Sequence, residues 1–260
     1  GMAMKNILKI MLMMITIFTI AGSAVYAAEI PVSDQDQLIT SSDWTEISNL
    51  QDEMKKEEPD ATIDYDKALK VYVDCNLIKL QTADTKKLTS ALESANYVWV
   101  IPFKMEKTYG MFTVAKGLPL REEAKSVLTK AEQEEVKNHA GKWMITETAE
   151  HTVEPYYDIL LEKREALSDC TRVVLVGSQP GMRQPVALGM DDETARIWIS
   201  LGYQYPVMEK IPETQNVESG VYSFESVADI SDTYIEDSEV STGAGVQSRS
   251  SMKYVAGIGI

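Results

Sequence analysis

Three short apolar runs between Arg172 and Leu201 constrain the fold more than any other part of this chain. Turn residues separate the runs, a pattern that is typical of consecutive strands. Gly181 supplies the positive φ that a tight turn needs after the first run, and an acidic triplet at 191–193 follows the second. We therefore expect an antiparallel meander built from residues 172–176, 185–190 and 197–201.

Two aromatic segments, Tyr97–Phe103 and Tyr109–Ala115, predict a β-hairpin, because a short polar stretch lies between them. Side chains alternate along a strand, so odd-numbered and even-numbered residues of the first segment point to opposite faces. Both faces are then apolar, which favours a hairpin in the centre of a sheet. The alternative is an exposed aromatic strip around Trp99 and Tyr109 that would bind a sugar or a peptide.

Helical periodicity and capping residues indicate helices between these strands. We expect helices over 42–57, after the N-cap Asp84, from Leu120 to about Gly141, and from Pro155 to about Leu167. Further strands are predicted at 69–75 and 143–148. The order strand, helix, hairpin then occurs twice, which suggests a βαββ pseudo-repeat of residues 66–117 and 142–201. The mixed order predicts an α+β fold, with an antiparallel sheet and helices packed on one face.

Composition divides the chain into four parts. Residues 1–27 have the character of a leader, 28–60 hold a polar segment and a helix, 61–211 carry the α+β domain, and 212–260 are acidic and polar. Because apolar residues become scarce from residue 212, we expect a flexible tail or an extended segment lying over the domain. The last seven residues, 254–260, are apolar again and would form either an edge strand or a disordered end.

The leader has the order of a secretory signal peptide. Lys5 and Lys9 precede an apolar run over 10–21, and small residues lead to a cleavage site after Ala27. An uncleaved anchor is the alternative, although the run is shorter than the roughly 20 residues that span a bilayer. We expect a protein that is secreted or held at the surface of a Gram-positive bacterium, with no stable membrane anchor after cleavage.

Charge limits the classes of partner. The chain has 40 acidic and 25 basic side chains and a net charge of −15. Phosphate backbones repel such a chain, so we expect no nucleic-acid partner. Cations and basic partners are favoured, although acidity that only keeps the protein soluble is the simplest alternative. The sequence has neither a Walker loop nor a Gly-x-Gly-x-x-Gly after a strand, so we expect no cofactor.

Two cysteines, Cys75 and Cys170, leave two alternatives open. In an exported chain a pair suggests one disulfide, which would close a long loop and stabilise the fold by roughly 4 kcal/mol. The alternative is two buried free thiols. Their distance along the sequence excludes a zinc motif made by these cysteines. An acidic neighbour precedes each cysteine and disfavours a reactive thiolate.

His151 is the residue that most suggests metal chemistry. Glu147, Glu150 and Glu154 surround it, and imidazole and carboxylate oxygens are ordinary zinc ligands. We consider His151, Glu147 and Glu154 as a candidate metal set. The alternative is an exposed polar segment, because this stretch lacks the His-Glu-x-x-His motif.

A second aromatic patch is expected at Trp198, Tyr203 and Tyr205, with burial in the core as its alternative. Together with Trp99 and Tyr109, these residues are the candidate binding residues. We expect an exported, non-catalytic binding or interaction module for a protein, a peptide or a glycan. A secreted hydrolase with an Asp/Glu pair stays open, because such a pair leaves no local signature. A proteinaceous inhibitor or a surface assembly partner is the third alternative.

Overall fold

A computed structural model describes residues 29–182 and 184–231 of the chain. The described residues form one sheet of nine strands. The strands are β1 Thr62–Ile63, β2 Leu69–Tyr72, β3 Tyr97–Lys104, β4 Tyr109–Lys116, β5 Trp143–His151, β6 Arg172–Val176, β7 Val186–Met190, β8 Ala195–Ile199 and β9 Val221–Ser223. The α+β class and the mostly antiparallel sheet expected from the sequence are confirmed.

Short helices connect or flank the strands. They are α1 Trp44–Ile47, α2 Gln51–Glu57, α3 Thr85–Glu93, α4 Glu122–Lys125, α5 Lys130–His139, α6 Tyr156–Glu162, α7 Pro206–Glu209 and α8 over 224–231. Asp84 caps α3 as expected, because its carboxylate accepts a hydrogen bond from the backbone N–H of Lys87 at 3.0 Å. No helix within the described residues is long and apolar enough to cross a membrane.

The strand order is β5-β4-β3-β2-β6-β7-β8-β9, so the sheet consists of two meanders that start at its centre. We call β2–β5 the first half and β6–β9 the second half. The strands β2 and β6 are parallel and join the halves through two register pairs, Val71 with Leu175 and Tyr72 with Val176. The expected meander over 172–201 is therefore confirmed as β6, β7 and β8.

The predicted pseudo-repeat is present in the order of elements along the chain, but the two units differ in how their first strands pair. Strand, helix and hairpin occur as β2-α3-β3-β4 and again as β5-α6-β6-β7. In the first unit β2 pairs with β3, whereas in the second β5 pairs with β4 and not with β6. The first strands of the two units thus occupy different positions, because β5 extends the first meander instead of starting a new one.

Helices cover both faces of the sheet, which corrects the expected single helical layer. Leu88 and Leu92 of α3 pack with Val174 on one face. Tyr156 and Leu160 of α6 pack on the opposite face, in a cluster that contains alternate residues of β6, β7 and β8. The physical reason is that β6 and β7 are apolar on both faces, so that a helix must pack against each face to bury it.

The helix expected from Leu120 to Gly141 is instead two helices, α4 and α5. The break comes before Thr129, which begins α5 with a reciprocal capping box to Glu132. Val127 lies in the break and is 80% exposed, so the apolar spacing that suggested one helix does not correspond to a buried face there. Local capping therefore determines where the second helix begins.

The N-terminal segment, residues 30–38, ties the two halves together. Its Pro31 carbonyl accepts a hydrogen bond from the backbone N–H of Val173 in β6 at 2.8 Å. Its Leu38 backbone N–H donates to the Ala68 carbonyl beside β2 at 3.1 Å. The segment therefore bridges the beginnings of the two central strands.

A buried ion pair fixes this segment. Arg172 donates from Nε to Asp36 Oδ2 at 3.0 Å and from Nη2 to Asp36 Oδ1 at 3.2 Å. The Asp36 carboxylate also accepts hydrogen bonds from Tyr72 Oη at 2.9 Å and Ser33 Oγ at 2.6 Å. Asp36 is only 3% exposed, so a bidentate partner and two hydroxyl donors together compensate for its burial.

The ordered structure continues beyond Pro212. Strand β9 pairs with β8, and α8 follows it directly. Phe224 and Val227 of α8 are buried in the second half. The composition changes near residue 212, but residues 213–231 still contribute to the sheet and the core. The apolar residues 254–260 lie outside the described residues, as does the proposed leader.

Candidate functional site

The outer strand β5 is the longest strand of the described chain and forms one edge of the sheet. Eight register pairs join it to β4, from Tyr109 with His151 to Lys116 with Trp143. Within the described residues no other strand pairs with β5. Its outward-facing backbone N–H and C=O groups therefore form a row that another strand could bond.

A bulge divides the strand. The register with β4 shifts between Thr113 and Val114, so that Thr146 is the extra residue of β5. Beyond this bulge the pairing is regular from Glu147 to His151. Because side chains alternate, Glu147 and His151 lie on one face of the sheet, and Thr148 and Glu150 lie on the other.

Carboxylates lie along this regular part of the edge. Glu147 and Glu150 are exposed. Glu150 Oε1 accepts a hydrogen bond from Thr108 Oγ1 at 2.5 Å, and Thr148 Oγ1 donates to Glu57 Oε2 at 2.6 Å. Among the described residues, no basic side chain forms an ion pair with Glu57, Glu147 or Glu150.

The candidate metal residues do not converge on a common point. His151 uses Nδ1 for a 2.9 Å hydrogen bond with the Val153 carbonyl, and its Nε2 is buried without a partner among the described residues. Glu154 is instead close to Glu162, whose negative charge raises the pKa of Glu154. In the part of the chain that the structure describes, no group of three metal-ligating side chains lies together.

The candidate aromatic residues divide into buried and partly exposed ones. Trp99 and Trp198 are fully buried. Tyr205 is 2% exposed, and its hydroxyl donates to the Pro185 carbonyl. Tyr203 is partly exposed and shares a 3.1 Å hydroxyl contact with Tyr156, whereas Tyr109 is partly exposed on β4 opposite His151. Trp198, Tyr203 and Tyr205 thus share one core cluster of the second half, whereas Trp99 belongs to a cluster of the first half. The largely buried positions of these residues favour the core alternative over an exposed aromatic strip.

The two cysteines are both free and buried. Cys75 follows β2 and Cys170 precedes β6. Because β2 and β6 are parallel, the two residues lie at opposite ends of the central strands, whereas a disulfide needs Cα atoms within about 7 Å. Burial is the largest cause that raises the pKa of both thiols, to about 11 for Cys170.

A cluster that sequence reasoning missed surrounds Lys70. The Lys70 ammonium lies 4.2 Å from the centroid of the Tyr97 ring and 5.3 Å from that of Trp99. Asp43 Oδ2 accepts from Tyr97 Oη at 2.7 Å and from Trp99 Nε1 at 3.0 Å. Burial lowers the pKa of Lys70. These contacts attach the segment before α1 to the sheet, so we assign them a structural role.

The sequence of β5 alone does not indicate that this strand lies at the edge of the sheet. Glu57 comes from α2, 91 residues before the threonine that contacts it, so its position at the edge depends on tertiary packing. The sequence features that pointed to this region were the predicted strand at 143–148 and the glutamates around His151. Comparisons with protein families, with curated proteins and with solved structures found no match for this chain.

Proposed function

We propose that this protein is an exported interaction module that binds an extended polypeptide segment by adding it as a strand to the outer edge of β5. The observation that carries the proposal is the nine-residue edge strand, which only β4 pairs with among the described residues. The regular part of the strand beyond the bulge, from Glu147 to His151, extends over roughly 16 Å, which is long enough for a short ladder of backbone hydrogen bonds.

The edge is held in place, which reduces the entropy cost of binding. Thr146 Oγ1 donates to the Thr113 carbonyl of β4 at 3.2 Å, and Thr148 is anchored to α2 through Glu57. Trp143, at the start of the strand, is buried in the cluster that α1 and α2 cover. A strand added to β5 would therefore meet a preformed template.

The module would act outside the cytoplasm, secreted or at the cell surface. This part of the proposal rests on the leader sequence, residues 1–27. We expect the protein recovered from the culture medium to begin at Ala28, and N-terminal sequencing would test this. Recovery of protein that retains residues 1–27 in the cell fraction alone would contradict export.

Nuclear magnetic resonance titration of the purified protein tests strand addition. The probes are nine-residue capped peptides of threonine and valine that carry two lysines, two glutamates or two asparagines. We expect at least one probe to shift the amide signals of residues 143–151, since the added strand bonds to their backbone. The same peptide with alternate backbone nitrogens methylated cannot donate those bonds and should not bind.

Two outcomes would overturn the proposal. In the first, no probe shifts the β5 amides, or the shifts occur elsewhere in the molecule. In the second, increasing the concentration of the protein alone shifts the β5 amides, which would show that another copy of this chain occupies the edge. That second result would favour the surface assembly partner considered from the sequence.

A further inference from the structure

We infer that the segment which β5 accepts is basic, with lysine or arginine at positions i and i+3. This inference rests on the proposed function and specifies the partner. The regular part of the edge carries Glu147 on one face of the sheet and Glu150 on the other. A partner strand that is attracted to this edge must therefore present positive charge on both of its faces.

The spacing follows from strand geometry. Residues directly opposite each other in two paired strands form close side-chain pairs, and opposite charges there are favourable. Glu147 and Glu150 are three residues apart, with no bulge between them. Cationic residues three apart on the partner therefore lie on opposite faces, and each faces one glutamate. Cationic residues two apart share a face, so only one of them can pair.

A third carboxylate strengthens the attraction on one face. Glu57 of α2 contacts Thr148, whose side chain is on the same face as that of Glu150. Basic residues lie near both ends of β5, with Lys116 and Lys142 at the Trp143 end and Lys104 and Lys107 at the His151 end. Among the described residues, none of these lysines forms an ion pair with Glu57, Glu147 or Glu150, so the three carboxylates have no ionic partner.

The affinity of three peptide isomers tests the inference. All are nine-residue capped threonine–valine peptides, with lysines at positions three and six, lysines at positions three and five, or glutamates at positions three and six. We expect the first to bind about threefold more tightly than the second, because one more charge pair forms. The glutamate peptide should bind at least about tenfold more weakly than the first.

Matched variants of the protein complete the test. The double variant Glu147→Gln and Glu150→Gln should bind the two lysine isomers equally, because the two carboxylates that distinguish them are lost, and it should discriminate less strongly against the glutamate peptide. The control double variant Glu93→Gln and Glu213→Gln changes the net charge by the same amount at exposed positions outside β5 and should keep the preference. Loss of the preference in the control would overturn the inference, because it would show that net charge determines binding.

The results also separate the two proposals. Shifts of the β5 amides with equal affinity for all three peptides overturn the basic-partner inference and leave strand addition supported. The absence of β5 shifts with every peptide overturns the proposed function itself. Charge-dependent binding whose shifts lie outside 143–151 overturns both.

Discussion

The two outer strands, β5 and β9, end the same sheet in different ways. Strand β5 has nine residues and an edge that no other described strand covers. Strand β9 has three residues, and α8 follows it without a break. Phe224, the first residue of α8, is buried and stacks on Trp198 at 5.6 Å between ring centroids. One edge is thus long and accessible, and the other is short and attached to the core.

This difference suggests a division of roles between the halves. The second half is buried on both faces, which is typical of a stabilising core. The first half ends in a strand whose side chains are mostly polar or partly exposed. Binding surfaces need such accessible groups on a rigid support, and β4, α1 and α2 supply that support for β5.

The largest expected effect comes from removing the ion pair of Asp36 with Arg172, which links the N-terminal segment to the second half. In Arg172→Leu, Asp36 keeps its charge in a buried position without its bidentate partner. We expect a loss of about 3–5 kcal/mol in the free energy of unfolding, measured by urea titration. The loss should affect both halves in one transition, since the N-terminal segment bonds to β2 and β6.

A matched exposed pair provides the control for this variant. Arg196 and Asp191 form an ion pair at 2.9 Å, the same distance as between Arg172 Nη2 and Asp36 Oδ2, but the Arg196 side chain is 42% exposed. Arg196→Leu should therefore cost less than about 1 kcal/mol. Equal losses in the two variants would show that burial of the Asp36 pair is unimportant.

Phe224→Ala should destabilise β9, the outer strand of the second half. Removing this buried ring should cost about 3 kcal/mol, because it leaves a cavity beside Trp198. Hydrogen exchange should become faster at β8 and β9 and stay slow at β4 and β5. Phe112→Ala in the first half is the matched change, and it should affect β4 and β5 instead. A uniform loss of protection in both variants would contradict independent edges.

Cys170 gives a smaller, pH-dependent effect in the second half. Its pKa is raised from 9.0 to about 11, so it stabilises the fold fully below pH 9. That stabilisation should be lost as the pH rises from about 9 to about 11. At pH 8 the native thiol should react with iodoacetamide about a hundredfold more slowly than a thiol of pKa 9.

Cys170→Ala is the control for this prediction. It should reduce the loss of stability between about pH 9 and pH 11, and the part that remains comes from Cys75 and from buried tyrosines such as Tyr72, whose pKa values are also raised. A titration of the unfolded wild type without reductant should count two thiols. One disulfide in place of two thiols would contradict the arrangement of Cys75 and Cys170 at opposite ends of the central strands.

Much of the local structure could be predicted from the sequence. Strand alternation and turn residues gave the hairpin of β3 and β4 and the meander of β6, β7 and β8. Asp84 marked the start of α3, because a cap depends on residues within one turn. The break before Thr129 was missed, although its capping box with Glu132 is also local.

Long-range pairing could not be predicted in the same way. The ion pair of Asp36 with Arg172 links residues that are 136 positions apart in the sequence, and nothing near either residue indicates its partner. Similarly, the position of β5 beside β4 determines which strand is outermost. The glutamates around His151 suggested a metal site, but Glu147 and His151 are four residues apart along a strand, which separates them by roughly 13 Å although they share a face. Glu154 lies outside β5 and is close to Glu162 instead.

The smallest expected effect on folding concerns the open edge. In the double variant Glu147→Gln and Glu150→Gln, we expect the free energy of unfolding to change by less than about 0.5 kcal/mol, because both side chains are exposed. Charges on an edge strand also prevent pairing with other copies. The variant should therefore self-associate at high concentration in sedimentation velocity, whereas Glu93→Gln with Glu213→Gln should stay unchanged. A loss above about 1 kcal/mol would instead assign the two glutamates to the stability of the fold.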